Sequence, residues 1–222
     1  MGIITLENMD RLYWLGRYSE RVYTTSKLFA DSFDNMIDQD FTYFAEFCQK
    51  LDIPNIYSSK EDFNNRYCFD STDPNSIYAN LIRAYDNAIV LREEIGSEPL
   101  SYIQLAMYKM NMSEQTNAPL ITLQKVTDNI LAFWGIADDL IEDENVRNTI
   151  KVGKRIERID LYGRLHAPQA AMLREIHRLK GRIFKTLLKY DKEKLENMIA
   201  EAENNEIDYY KIVQDVDNLL IW

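Results

Sequence analysis

The apolar residues at the start of this chain recur at alternating steps of three and four, and almost nothing interrupts them. The stripe, which includes two serines, consists of Leu12, Leu15, Ser19, Val22, Ser26, Phe29, Phe33 and Met36. Such steps place side chains on one face of an α-helix. Glycine and proline, the residues that break helices, number only 7 and 5 among 222 residues. The chain therefore favours long helices over a β-sandwich or barrel, which needs many turns.

The same period predicts helices along the whole chain and no strand. We expect helices over residues 6–37, 41–51, 74–95, 97–111, 119–141, 146–165, 169–190, 191–204 and 206–220. Residues 52–74 are predicted to be irregular, with Asp73 capping the helix that Pro74 begins. The sequence therefore predicts an all-α fold: a single domain over residues 1–222, built as one bundle of about seven to nine helices.

The charge balance of the chain excludes one class of partner. Asp and Glu number 36 against 26 Lys and Arg, and the formal net charge is −10. Nucleic-acid binding depends on Lys and Arg that neutralise phosphates, so we expect no nucleic acid as a partner. Two cysteines without a CxxC pair, no signal-peptide pattern at the N-terminus and no apolar run near 18 residues predict a cytoplasmic chain without a membrane span.

Two short segments, 137 residues apart, repeat one pattern. Residues 16–22 read GRYSERV and residues 153–159 read GKRIERI. Each has a glycine, a cation, two variable residues, Glu-Arg and a β-branched apolar residue. A glycine inside a helix costs about 1 kcal/mol relative to alanine. Because the chain has few glycines, Gly16 and Gly153 at matched positions predict an internal pseudo-repeat in which two helix backbones approach closely.

Three segments, taken in order, resemble the bacterial alpha-E domain family. They read YWLGRYSERV, NAIVLREEIGSEPL and GIADDLIEDENVRNTIKVGKRIERIDLYGRL, and the resemblance covers residues 5–166, with 167–222 as a shorter C-terminal helical part. The resemblance implies an all-helical domain marked by Glu-Arg motifs. It also implies a place beside circularly permuted ATP-grasp ligases and transglutaminase-like peptidases, in a system that synthesises or modifies peptides.

The motif residues form a candidate site with two interpretations. Its members are Arg17, Glu20, Arg21, Arg83, Asn87, Arg92, Lys154, Glu157 and Arg158, with Arg155 beside them. In the first interpretation they form a structural ion-pair network that fixes helix register. A pseudo-twofold would then place the glutamate of each repeat near the Glu-Arg arginine of the other: Glu20 near Arg158, and Glu157 near Arg21. In the second interpretation the cations hold the carboxylate or phosphate of an anionic small molecule or peptide.

A run of acids offers an alternative with a metal. Asp138, Asp139 and Glu142 are predicted to share one helix face. Class I isoprenoid synthases, which are also all-helical, bind Mg²⁺ and a diphosphate with such an arrangement. No spacing of His, Cys, Asp or Glu fits a transition metal, and no Gly-rich phosphate loop is present, so we expect no cofactor.

Three functions remain open at this stage. The first is an accessory or ligand-binding component of an ATP-grasp-linked peptide system. The second is a Mg²⁺-dependent enzyme of the isoprenoid-synthase type, and the third is a purely structural interaction module. The motifs assign no catalytic residue.

Overall fold

The computed structural model of the chain describes residues 4–38, 43–112 and 118–222, and for residues 34–38 it describes the backbone alone. Eleven helices and one short pair of strands lie in these ranges. The elements are α1 (Leu6–Asp38), α2 (Tyr43–Leu51), α3 (Lys60–Phe69), α4 (Ile77–Val90), α5 (Arg92–Ile95), α6 (Ser97–Asn111), α7 (Pro119–Leu140), α8 (Glu144–Arg164), α9 (Gln169–Ile183), β1 (Lys189–Tyr190), α10 (Lys192–Glu203), α11 (Tyr209–Asp217) and β2 (Leu220–Ile221).

Helices make up 78% of the structure, which confirms the all-α prediction. The predicted count of seven to nine helices is too low. One reason is that the helix predicted over 74–95 breaks at Leu91, between α4 and α5. No helix in the described ranges is both long and apolar enough to cross a membrane.

Helix α1 follows the apolar stripe that predicted it. Leu12, Leu15, Val22 and Phe29 are fully buried, and the two serines of the stripe are buried with them. The side chain of Met36 and the predicted helix start at residue 41 lie outside the described residues.

Side-chain capping explains why residues 52–74 are not wholly irregular. The hydroxyl of Ser59 accepts a hydrogen bond from the backbone N–H of Asp62 at 3.1 Å. The Asp62 carboxylate accepts one from the N–H of Ser58 at 2.8 Å. The first bond satisfies a donor that the first turn of a helix leaves unpaired, and the second ties the residue before the cap to that turn. Helix α3 therefore begins in a segment whose Asn and Ser content predicted a loop.

The predicted cap of the next helix is wrong by three residues. Helix α4 is capped by Ser76, whose hydroxyl accepts from the N–H of Ala79 at 2.9 Å. Asp73 is buried, and its carboxylate accepts a hydrogen bond from the hydroxyl of Tyr57 at 2.6 Å. The other carboxylate oxygen of Asp73 accepts from the backbone N–H of Asn75 at 2.9 Å, so Asp73 caps a turn that precedes the helix.

The last predicted helices run too long, and the prediction of no strand is wrong. Helix α9 ends at Ile183 and α11 ends at Asp217. Beyond them β1 and β2 pair antiparallel, with Lys189 opposite Ile221 and Tyr190 opposite Leu220. This pairing joins segments that are distant in the chain, which local periodicity does not reveal.

The described chain divides into two compact units. The first contains the residues up to Arg17 and Glu142–Trp222, and the second is Tyr18–Ile141, so one boundary falls within α1. In the first unit α8 packs against α9 and α11, and α10 also packs against α9 and α11. In the second unit α6 packs against α4 and α7, beside an aromatic cluster around Phe63 and Tyr67. The single-domain organisation stays a prediction.

Candidate functional site

The two repeated glycines bring the backbones of α1 and α8 together. A Cβ on Gly16 would collide with the carbonyl oxygen of Ile150, and a Cβ on Gly153 would collide with the carbonyl oxygen of Tyr13. In both cases that carbonyl lies three residues before the opposite glycine, so the contact is reciprocal. The predicted close approach of the two repeats is confirmed.

A buried ion-pair network lies beside this glycine crossing. Nε of Arg17 donates to Oε2 of Glu157 at 2.6 Å, and Nη2 of Arg17 lies 3.7 Å from Oδ2 of Asp160. Nε of Arg164 donates to Oδ1 of Asp160 at 2.7 Å. Asp217 of α11 lies 4.0 Å from Arg17 and 3.8 Å from Arg164. The network therefore ties α1, α8 and α11 together, and it resembles a structural element more than an open site.

Burial makes this network depend on its arginines. The side chains of Glu157 and Asp160 are 1% exposed and that of Arg17 is 11% exposed. Burial by itself disfavours a charged guanidinium, but Glu157 and Asp160 raise the pKa of Arg17. Burial, with the nearby Glu157 carboxylate, raises the pKa of Asp160, while Arg164 and Arg17 lower it. An ionised Asp160 is thus tolerated because two arginines face it.

Glu157 pairs with Arg17, the cation that directly follows the first glycine. This pairing follows from the crossing, because Glu157 stands one helical turn after Gly153 on α8. The backbone N of Arg17 would lie 3.2 Å from a Cβ on Gly153. The predicted reciprocal pairs of the Glu-Arg motifs, Glu20 with Arg158 and Glu157 with Arg21, stay predictions.

A second cluster joins α8 to α9 and contains one buried carboxylate among several arginines. Glu175 of α9 is 1% exposed. It accepts hydrogen bonds from Arg155 of α8 at 2.5 Å and from Arg178 of α9 at 2.7 Å. Arg158 and Arg174 lie 4.0 Å from its oxygens. Four guanidinium groups therefore surround one carboxylate.

These cations line an open groove of about 550 Å³ beside α8 and α9, which we call the cationic groove. Its lining residues are Arg155, Arg158, Arg178, Gly181, Arg182 and Lys185. Arg182 donates to the amide oxygen of Asn148 at 3.1 Å, so its hydrogen-bond partner is neutral. Lys185 pairs with Glu144 at 2.9 Å. The groove thus gathers positive charge in a chain whose net charge is −10.

Among the described residues that line the groove, Arg155 has a buried hydrogen-bond donor without an acceptor. Its Nε is buried and has no hydrogen-bond partner among the described residues. Burial is the main cause that lowers the pKa of Arg155, and the charges of Arg158 and Arg178 lower it further, against the opposing effect of Glu175. A buried donor without a partner costs about 1–3 kcal/mol. An anion in the groove would reduce the repulsion among the arginines, and a turn of the Arg155 side chain toward it would give Nε an acceptor.

The other predicted site residues are divided between the two units. Those in the second unit are Glu20, Arg21, Arg83, Asn87 and Arg92. There Glu20 is buried and accepts from the hydroxyl of Thr24 at 2.8 Å. Arg83 donates to the carbonyl oxygen of Pro74 at 2.8 Å. In the first unit Arg158 lines the groove, and the backbone N of Lys154 faces Gly16 at the crossing.

The acidic run does not form the predicted helix face. Helix α7 ends at Leu140 and Ile141 is extended, so Glu142 lies beyond the helix that carries Asp138 and Asp139. All three acids are exposed. In the described part of the chain no three His, Cys, Asp or Glu groups come together as metal ligands would. The prediction that these three acids share one helix face, on which the Mg²⁺ alternative rested, is thus wrong.

Sequence reasoning missed two groove residues of α9, Arg178 and Arg182, and the groove residue Lys185 just beyond it. It also missed Glu175 of α9, the buried carboxylate that pairs with the groove arginines. A signal was present in residues 173–185, LREIHRLKGRIFK, which hold five Lys and Arg against one acid in an acidic chain. Arg178 and Arg182 stand four residues apart, which places them on one helix face.

The fold and these clusters define an all-helical protein in which two segments, each with a glycine and a Glu-Arg motif, meet at their glycines. The family model alpha-E, described as a predicted alpha-helical domain with a conserved ER motif, matches residues 8–196. The chain therefore belongs to the alpha-E family, as its motifs predicted. The match extends past the predicted limit at residue 166 and includes α9, which carries part of the groove. No curated protein and no solved structure matches the chain significantly.

Proposed function

We propose that this protein is an accessory, ligand-binding component of a bacterial ATP-grasp-linked system for peptide synthesis or modification. In this proposal the cationic groove holds the anionic group of the ligand. The observation that carries it is the local charge. Besides Arg158, four cations line the groove: Arg155, Arg178, Arg182 and Lys185. The ion pairs that these four make among the described residues involve two carboxylates, Glu175 and Glu144.

Arginine chemistry supports an anionic ligand. A guanidinium group offers five donors in a planar fork that suits carboxylates and phosphates. Hydrogen bonds between ionised partners are about twice as strong as neutral ones. The network around Arg17 supports the same assignment indirectly. It fixes α8 through Arg17 and the acids that pair with it, so residues other than the groove arginines hold this helix in place.

The partners in this proposal come from the resemblance of the motifs. They are an ATP-grasp-type ligase and a transglutaminase-like peptidase, in the cytoplasm. The groove agrees with such a setting, because a system that joins or modifies peptides handles carboxylates and phosphates. Co-elution of the purified chain with an ATP-grasp-type ligase of the same genome tests the partnership, and two separate peaks would count against it.

Anions are expected to stabilise the fold through the groove. A ligand that binds only the folded state adds about 2.7 kcal/mol at one hundred times its Kd. Diphosphate, citrate or a short acidic peptide, each with two or more anionic groups, should therefore raise Tm by several degrees above a chloride control of equal ionic strength. Arg182→Gln should remove most of the rise. This change leaves no carboxylate unpaired, because Arg182 bonds to the neutral amide of Asn148.

The matched control is Arg174→Gln. Arg174 lies on the same helix and near the same carboxylate, but it is 56% exposed and does not line the groove. This variant should keep the full anion response. If no anion exceeds chloride, or if the control loses as much as Arg182→Gln, the protein is better described as a purely structural module.

A further inference from the structure

We propose that the cationic groove selects a phosphoanhydride group, a chain of two or more linked phosphates, carried free or as part of a larger molecule. This inference rests on the proposed function, since it names the anion that the groove would hold. It starts from where the donors stand. One set lies at Arg155 and Arg178, and a second lies at Arg182, four residues further along α9.

The spacing of the two donor sets favours linked anionic groups. Four residues of helix correspond to about 6 Å along the axis. A single carboxylate or phosphate bonded to Arg155 and Arg178 would leave Arg182 with its neutral partner, Asn148. A ligand with two joined anionic groups reaches both sets at once.

The directions from which the donors come favour phosphate over carboxylate. Arg155 belongs to α8 and Arg178 to α9, and both already give one nitrogen to Glu175. Their remaining donors therefore approach a ligand from two helices. A flat carboxylate matches one guanidinium fork. A phosphoryl group has three acceptor oxygens in a tetrahedral arrangement, so it can accept from several directions and carries more charge.

The wall of the groove at Gly181 leaves room for such a group. A Cβ on Gly181 would meet no atom within 4 Å, and the position is exposed. A side chain at residue 181 therefore enters the groove without a steric conflict. Gly181→Glu places a carboxylate among the arginines and should compete with the ligand, while the helix keeps its packing.

The test is calorimetric titration of the full chain with phosphate, diphosphate and triphosphate at constant ionic strength, without added divalent cations. We expect Kd to fall about tenfold or more from phosphate to diphosphate, because a second set of charged hydrogen bonds forms. Glutarate and citrate should bind more weakly than diphosphate. If a nucleoside diphosphate binds as tightly as inorganic diphosphate, the phosphate chain belongs to a larger ligand. If the nucleoside diphosphate binds more weakly, the ligand is the free anion.

Gly181→Glu should weaken diphosphate binding about tenfold or more. Gly181→Ala should leave it within about twofold, and so should Gly135→Glu, which adds the same charge at another exposed helix glycine with open space around it. Carboxylates that bind as tightly as diphosphate would overturn the phosphoanhydride inference and leave the proposed function standing. Binding of no anion would overturn both, and an unchanged Kd in Gly181→Glu would place any bound diphosphate outside the groove.

Discussion

Replacing Arg17 with methionine is expected to lower the free energy of unfolding by about 3–5 kcal/mol. Removing one partner of a buried ion pair leaves the other charge without compensation in a low dielectric. Here two carboxylates lose a partner, Glu157 at 2.6 Å and Asp160 at 3.7 Å, and both are 1% exposed. Urea unfolding of the variant and the unchanged chain measures the loss.

The loss should also depend on pH. The pKa of Asp160 is already raised above 3.8, and Arg17 is one of the groups that lower it. Without Arg17 the pKa of Asp160 rises further. A raised folded-state pKa contributes stability that is complete below 3.8 and is lost as pH increases through the folded-state value. The deficit of Arg17→Met should therefore be larger at pH 7 than near pH 4.

A double-mutant cycle separates this pair from ordinary surface charge. Arg17→Met combined with Glu157→Leu should lose less than the sum of the single changes, with a coupling of about 1–3 kcal/mol. The matched cycle uses Arg11 and Glu7, an i,i+4 pair on the same helix whose glutamate is 74% exposed. Such exposed pairs contribute about 0.3–0.5 kcal/mol. Equal couplings in the two cycles would show that Arg17 does not anchor a buried network.

Gly153→Ala is expected to destabilise the first unit by about 2 kcal/mol or more, and Gly16→Ala by a similar amount. The added Cβ would collide with a backbone carbonyl oxygen, which cannot turn away as a side chain can. Overpacking costs about 1–3 kcal/mol, and more where backbone must shift. The double variant should lose less than the sum, because both changes separate the same two helices.

Two other glycines provide the comparison. Gly135 and Gly181 also lie inside helices, but a Cβ at either would meet nothing within 4 Å. Alanine there should raise the free energy of unfolding by up to about 1 kcal/mol, the ordinary gain in helix propensity. Thermal and urea unfolding of the four single variants measures the contrast. Stabilisation at Gly16 or Gly153 would mean that the helices do not cross so closely.

Sequence periodicity predicted the long helices well because few residues compete with the helical pattern. Helices α1, α6 and α7 begin or end within a residue or so of the predicted positions. The errors lie in local capping and in distant contacts. Asp73 looked like an N-cap, yet its carboxylate accepts from Asn75 in the turn before the helix and from the distant Tyr57. The strand pair β1–β2 likewise depends on residues that are far apart in the chain.

The candidate site was also predictable in part from the sequence. The repeat located the crossing of Gly16 and Gly153, because glycine inside a helix is costly without a packing role. It also gave Arg17, Glu157 and Arg158 as members. It did not reveal Glu175, since a lone acid on a basic helix carries no sign of burial in its sequence. The three-dimensional packing of α9 on α8 was needed to bring it to Arg155.

The most direct test of anion binding in the groove is nuclear magnetic resonance of the arginine side chains during titration with inorganic diphosphate. The Nε–H signal of Arg155 should shift the most, because this buried donor has no hydrogen-bond partner among the described residues and gains one when the side chain turns toward the bound anion. Arg178 and Arg182 should shift with the same midpoint. Arg174, on the same helix but outside the groove, should stay in place. An unmoved Arg155 signal, or equal small shifts at every exposed arginine, would show that diphosphate does not occupy the groove.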